Sequence, residues 1–213
     1  NNIKYLGNWV SSTLSEEIEI KRKMGIFYGA VNNLYTCFGN VGFKNLMKLY
    51  ASYCCFYYGS QAWRYNDKNV QDLYTAWNKS VRKLCHLPFQ THTYILPYFT
   101  STLHVKDQLL CRFMKLYEQM ITSNNESVSF ISKLCSKNKN SIIGENLSVI
   151  NSIYGKVMTN KEIKSIAYDK IENMFSEEVH MILEAKLCLE GSIYVSGFSH
   201  YELSHILLTL CTE

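Results

Sequence analysis

Proline occurs only twice in 213 residues, as Pro88 and Pro97. Proline breaks helices and punctuates the turns of sandwiches and barrels, so its scarcity leaves room for long helices and argues against many short strands. The apolar spacing agrees. Val70, Leu73, Tyr74, Trp77, Val81, Leu84 and Cys85 recur at three and four residues, the period of a helix with one buried face, and Asp67 stands where its N-cap belongs. The chain is expected to be mainly α.

Other elements follow from the same signals. Residues 3–12 carry two β-prone runs about Gly7-Asn8, which predicts a tight hairpin. Ser15, Glu16 and Glu17 open a helix whose inward positions are Ile20, Met24, Phe27, Val31, Leu34 and Phe38, ended by the glycines at 39 and 42. A second helix is expected from Phe43 to about Trp63, with Tyr50, Cys54, Tyr57 and Tyr58 on its stripe. Residues 88–101 read as an extended connector. Helices are expected over about 103–123, with Val105, Leu109, Phe113, Leu116, Tyr117 and Met120 inward, and over 126–137, 142–153 and 161–190. A last helix opens on a capping box, Ser199 and Glu202. The expected divisions are a hairpin at 1–13, a helical bundle at 14–86, a connector with helices at 87–157 and an acidic helical part at 158–213.

Charge is unevenly spread. Residues 1–123 hold 14 Lys and Arg against 7 acids, whereas residues 124–213 hold 8 against 11. All four arginines, Arg22, Arg64, Arg82 and Arg112, fall in the first part. A basic half of this kind suits a polyanion, or is an ordinary solvated surface. The basic clusters are Lys21, Arg22 and Lys23, then Lys44 and Lys48, then Lys79, Arg82 and Lys83. The 8 cysteines mostly fall on apolar helix positions, as buried free thiols do in a reducing compartment. No apolar run has the length of a membrane helix and no secretory leader is evident, so an intracellular chain without a membrane partner is expected. With its start at Asn1 rather than Met, the chain is expected to be a piece of something longer.

Catalytic signatures are missing. There is no phosphate-binding glycine loop, dinucleotide fingerprint, nucleophile elbow or His-Glu-x-x-His. Cys188, His200, His205 and Cys211 have poor zinc spacing, and His200 and His205 diverge on a helix. Cys85 with His86 and His92 has the composition of a thiol enzyme, but Cys85 falls on an apolar stripe, which favours an inert thiol. Gly25 and Gly29, four apart inside a helix, fit close helix packing or, alternatively, a smooth face for a flat partner. Trp63 and Trp77 read as core anchors.

Several segments in order resemble one family. Lys4-Tyr5-Leu6-Gly7 followed by Ser11-Ser12 resembles the primer-grip hairpin of non-LTR (LINE-type) retrotransposon reverse transcriptases. Tyr58-Gly59-Ser60-Gln61-Ala62-Trp63 is similar to the end of a thumb helix in that family. Trp77-Asn78-Lys79-Ser80-Val81-Arg82-Lys83-Leu84 with Leu87-Pro88, Thr91-His92-Thr93 with Leu96-Pro97, and Leu109-Leu110-Cys111-Arg112-Phe113 continue the likeness across residues 3–154. The resemblance implies a thumb-like bundle that holds an RNA and DNA template–primer duplex, in an intracellular ribonucleoprotein of nucleus and cytoplasm. It implies that Tyr5, Leu6 and Gly7 position the primer end and that Lys21, Arg22, Lys23, Lys44, Lys48, Lys79, Arg82 and Lys83 meet phosphates. It implies Mg2+ and dNTP only for a full enzyme, whose palm and fingers would be this chain's partners. The paired aspartates of that palm are absent here, so no catalytic residue, no metal ligand and no cofactor is assigned to this chain, and it is expected to be inactive alone. The alternative is an all-helical interaction module, or a decayed element remnant without a nucleic-acid role.

Overall fold

A computed structural model describes residues 2–5, 8–11, 15–39, 41–55, 57–85, 87, 89, 91–100 and 102–174. Within them the chain is mainly helical. Two strands, β1 (Asn2–Tyr5) and β2 (Asn8–Ser11), pair antiparallel, with Asn2 opposite Ser11 and Tyr5 opposite Asn8. Residues 6–7, between them, lie outside the described residues.

Helix α1 (Glu17–Phe38) begins with carboxylates, which suit the positive end of the helix dipole. Ile20, Phe27, Val31 and Leu34 are buried and Met24 is partly so. Phe38, expected inward, is exposed, because the buried stripe stops one turn earlier at Leu34. Gly25 and Gly29 do not serve helix packing: nothing lies within 4 Å of where a Cβ would stand on either. They leave the outer face of α1 smooth.

Helix α2 (Phe43–Tyr53) ends ten residues short of the expected Trp63. Tyr57 is buried, as its spacing indicated, but from a non-helical stretch, and Tyr58 is exposed. At Gly59 the backbone turns into the left-handed region, φ +87°, and a single 3-10 turn follows at Ser60–Ala62. That positive φ favours glycine, and a Cβ there would also displace the Asn8 carboxamide, which packs against Gly59. The expected thumb-helix ending at 58–63 is therefore a turn after the helix.

Helix α3 (Lys68–Leu84) follows its apolar period. The Asp67 carboxylate accepts the Asn69 N–H at 2.7 Å, and Val70, Leu73, Tyr74, Trp77, Val81 and Leu84 are buried. The connector is not wholly extended. Thr93–Ile95 form one 3-10 turn and α4 (Leu96–Thr100) follows, with Pro97 in its first turn, where no backbone donor is required.

Helix α5 (Val105–Ile121) packs against α3, α6 (Glu126–Lys137) and α8 (Asn160–Met174). Its buried face takes in Leu110, Cys111 and Met114 besides Val105, Leu109 and Phe113, and leaves Leu116 exposed. Asn125 caps α6, and Ser141 caps α7 (Ile142–Tyr154) by accepting the Gly144 N–H at 2.9 Å. The expected continuation of α8 to residue 190, and the helix after Ser199, lie outside the described residues. Buried side chains form one cluster from Ile20 to Ala167, on both sides of residue 124 where the charge changes sign. No described helix is long and apolar enough to cross a membrane.

Candidate nucleic-acid interface

The expected primer-end residues are only partly placed. Tyr5 closes β1 opposite Asn8, while Leu6 and Gly7 lie outside the described residues. Strand β2 lies against α1, which brings this end of the chain beside the first basic cluster.

That cluster is largely neutralised from within. Lys21 Nζ donates to Glu17 at 2.5 Å one turn away, which raises its pKa. Arg22 grips Glu19 with both Nε at 2.8 Å and Nη2 at 2.5 Å. Glu19 is buried, so the bidentate contact satisfies a carboxylate that has lost its water. Lys23 Nζ stands 3.7 Å from the same carboxylate and over the Tyr58 ring, and burial pulls its pKa down. Three cations thus face two carboxylates within one turn and a half of α1. On α2, Lys44 occupies the first turn and Lys48 is exposed.

The end of α3 differs. Lys79 is exposed and has no partner among the described residues. Arg82 donates from Nε at 3.0 Å and Nη2 at 2.6 Å to the Thr91 carbonyl, with its guanidinium over the Phe89 ring. Lys83 Nζ donates at 3.0 Å to the Asn32 side-chain carbonyl on α1 and lies over the Tyr35 ring. Every partner is neutral. Arg82 and Lys83 therefore tie α3 to the connector and to α1, and all three charges stay uncompensated. Asn32 is one turn beyond Gly29, so the smooth face of α1 adjoins this basic end.

The sequence pattern had not singled out a second basic site. A polar cleft of about 670 Å3 opens along α5, lined by Arg112, Lys115 and Gln119 of α5, by Asn160, Lys164 and Tyr168 of α8, and by Ala51 of α2 and Cys55 just after it. Among the described residues no carboxylate lines it. Arg112 is half-buried over the Tyr57 ring, with no hydrogen bond or ion pair among the described residues. Helical spacing was the available signal: 112, 115 and 119 share a face, as do 160, 164 and 168. That the two faces meet is a tertiary fact.

Thiol chemistry finds no support here. Burial pushes Cys54 and Cys85 up to about 12 and Cys55 and Cys111 up to about 11, so none is a thiolate at neutral pH. His92 stacks on Tyr94 rather than reaching a thiol. The weak zinc candidates at 188, 200, 205 and 211 lie outside the described residues, as does His86. Trp63 and Trp77 are core side chains. No protein-family model, curated protein or solved structure matches the chain.

Proposed function

We propose that this chain binds nucleic acid through its phosphates at the basic end of α3, as the thumb-like part of a non-LTR reverse transcriptase whose catalytic palm lies elsewhere. The observation that carries the reading is that Lys79, Arg82 and Lys83 have no carboxylate partner among the described residues. Uncompensated cations on a rigid helix attract phosphate without reading sequence. Beside them, Gly25 and Gly29 leave open space on α1 where a side chain would otherwise stand. The chain performs no chemistry in this reading; Mg2+ and dNTP would belong to the palm, and the assembly to an intracellular ribonucleoprotein. Tyr5, Leu6 and Gly7 would position the primer end, and Lys44 and Lys48 would add a weaker stripe.

An RNA–DNA duplex titrated across a salt series tests this. Affinity should fall with salt, and Lys79→Ala with Lys83→Ala should make the log–log slope shallower by about two, one for each phosphate no longer neutralised. Arg82→Ala is kept as a separate variant because it also releases Thr91. Equal slopes for the double variant and the parent protein would remove α3 from the interface. A second reading, a protein-interaction module, is favoured by Phe130, Ile131 and Leu134, which α6 exposes on adjacent turns. Absence of duplex binding at low salt by the folded chain would favour that module.

A further inference from the structure

The cleft along α5 and α8 also borders α2, where Ala51 lines it one turn from Lys48, but no described residue of α1 or α3 lines it, so it does not depend on the α3 reading. Asn160 approaches Glu118, whose Oε1 accepts its backbone N–H at 2.8 Å, and Lys164 lies close enough to Cys111 to act on it electrostatically. The two helices therefore run antiparallel, and residues 160, 164 and 168 face 118 back toward 108. The walls differ from an ordinary solvated surface in three ways.

First, the Arg112 guanidinium stands in the cleft with Gln108, Lys115 and Gln119 and over the Tyr57 ring, and although it has five donors it makes no hydrogen bond or ion pair among the described residues. Second, the Asn160 side-chain oxygen is buried without a hydrogen-bond partner, an acceptor with nothing to accept. Third, the exposed Tyr168 offers an aromatic face at the rim, two turns from Asn160. Cations and an aromatic ring in one polar cleft match two parts of a nucleotide, the phosphate and the base face. A cleft of about 670 Å3 is of the size that holds one such unit.

We propose that this cleft takes one nucleotide of a single-stranded nucleic acid, with its phosphates on Arg112, Lys115 and Lys164 and its base against Tyr168.

The test uses the full 213-residue chain and fluorescence anisotropy with labelled oligocytidylate, its deoxy counterpart and a labelled RNA–DNA duplex. Cytidine monophosphate and inorganic phosphate serve as competitors. Tyr168→Ala should weaken the single strand about five-fold or more, the loss of one stacked base. Lys115→Ala with Lys164→Ala should make the single-strand salt slope shallower by about 1.4, at about 0.7 for each phosphate. All three side chains are exposed, so folding is expected to survive, and circular dichroism checks it. Neither change should alter duplex affinity, whereas Lys79→Ala with Lys83→Ala should, which separates this site from the α3 reading. Single-strand affinity unchanged in both cleft variants overturns the proposal. So does the monophosphate or free phosphate binding as tightly as the strand, which would make the cleft a small-anion pocket. Equal affinity for ribo- and deoxy-strands supports it without a 2′-hydroxyl contact; preference for ribose adds one.

Discussion

His104 is the N-cap of α5 and shows how one residue can carry a pH response. Its Nδ1 accepts the Lys106 N–H at 3.1 Å, which requires that nitrogen to be unprotonated. Its Nε2 then holds the proton, donated at 3.1 Å to the Asn78 side-chain oxygen. The ring meets Trp77 edge-on with centroids 4.7 Å apart, and burial lowers its pKa to about 4. The unfolded chain has the ordinary value near 6.5 and so binds more protons than the fold between the two. Stability is fully present above about pH 6.5 and is lost as the pH falls through about 4, by up to about 3 kcal/mol. Asp107 opposes this at the acid end, since burial raises its pKa and its protonation favours the fold. Urea unfolding from pH 4 to 7 should show the loss, and His104→Asn, which keeps a capping oxygen, should flatten it. An equal slope in the variant would place the response elsewhere.

Helices α1 and α7 carry glycines of opposite consequence. Gly25 and Gly29 sit in an exposed helix with open space at the missing Cβ. Alanine there should stabilise by about 0.5–1 kcal/mol each, because glycine gives up more backbone entropy on folding. If a duplex approaches this face, the same double variant should bind it more weakly although more stable, and thermal melts run beside the salt titration separate the two effects. At Gly144 a Cβ would run into the Asn138 carbonyl oxygen, in the tight passage from α6 to α7. Gly144→Ala should therefore destabilise by about 1–3 kcal/mol, read by urea midpoint. α3 shows what an element's sequence can announce. Its cap, stripe and end are local events, so Asp67 and the spacing of Val70 to Leu84 were enough. α2 shows the converse. Tyr57 kept the helical period after the helix had stopped, since burial from a turn leaves the same mark in sequence as burial from a helix.

At the scale of the molecule, distant segments are joined by few polar side chains. Asn146 on α7 donates to the Trp63 carbonyl at 2.8 Å and accepts the Tyr65 N–H at 3.0 Å, fully buried. The Tyr65 hydroxyl in turn donates to the Leu109 carbonyl at 2.9 Å, which fixes the segment against α5. Arg64 spans Glu145 at 3.2 Å and Glu16 at 3.8 Å on the rim. Asn146→Ala removes two hydrogen bonds and strands two backbone groups, so it should cost about 3 kcal/mol in chemical unfolding. Arg64→Ala, on a partly exposed ion pair, should cost about 1 kcal/mol or less. Sequence by itself determined the mainly helical class, the cap at Asp67, and the burial of Trp63 and Trp77, because these follow from residues a few positions apart. The pairing of Lys21, Arg22 and Lys23 with Glu17 and Glu19 is equally local, one turn along α1. Only the tertiary structure decided the rest: Thr91 and Asn32 leave the α3 charges without a carboxylate among the described residues, and α8 comes to face α5 beside Arg112. Such contacts and clefts depend on which helix faces meet, and those meetings link residues that are far apart along the chain.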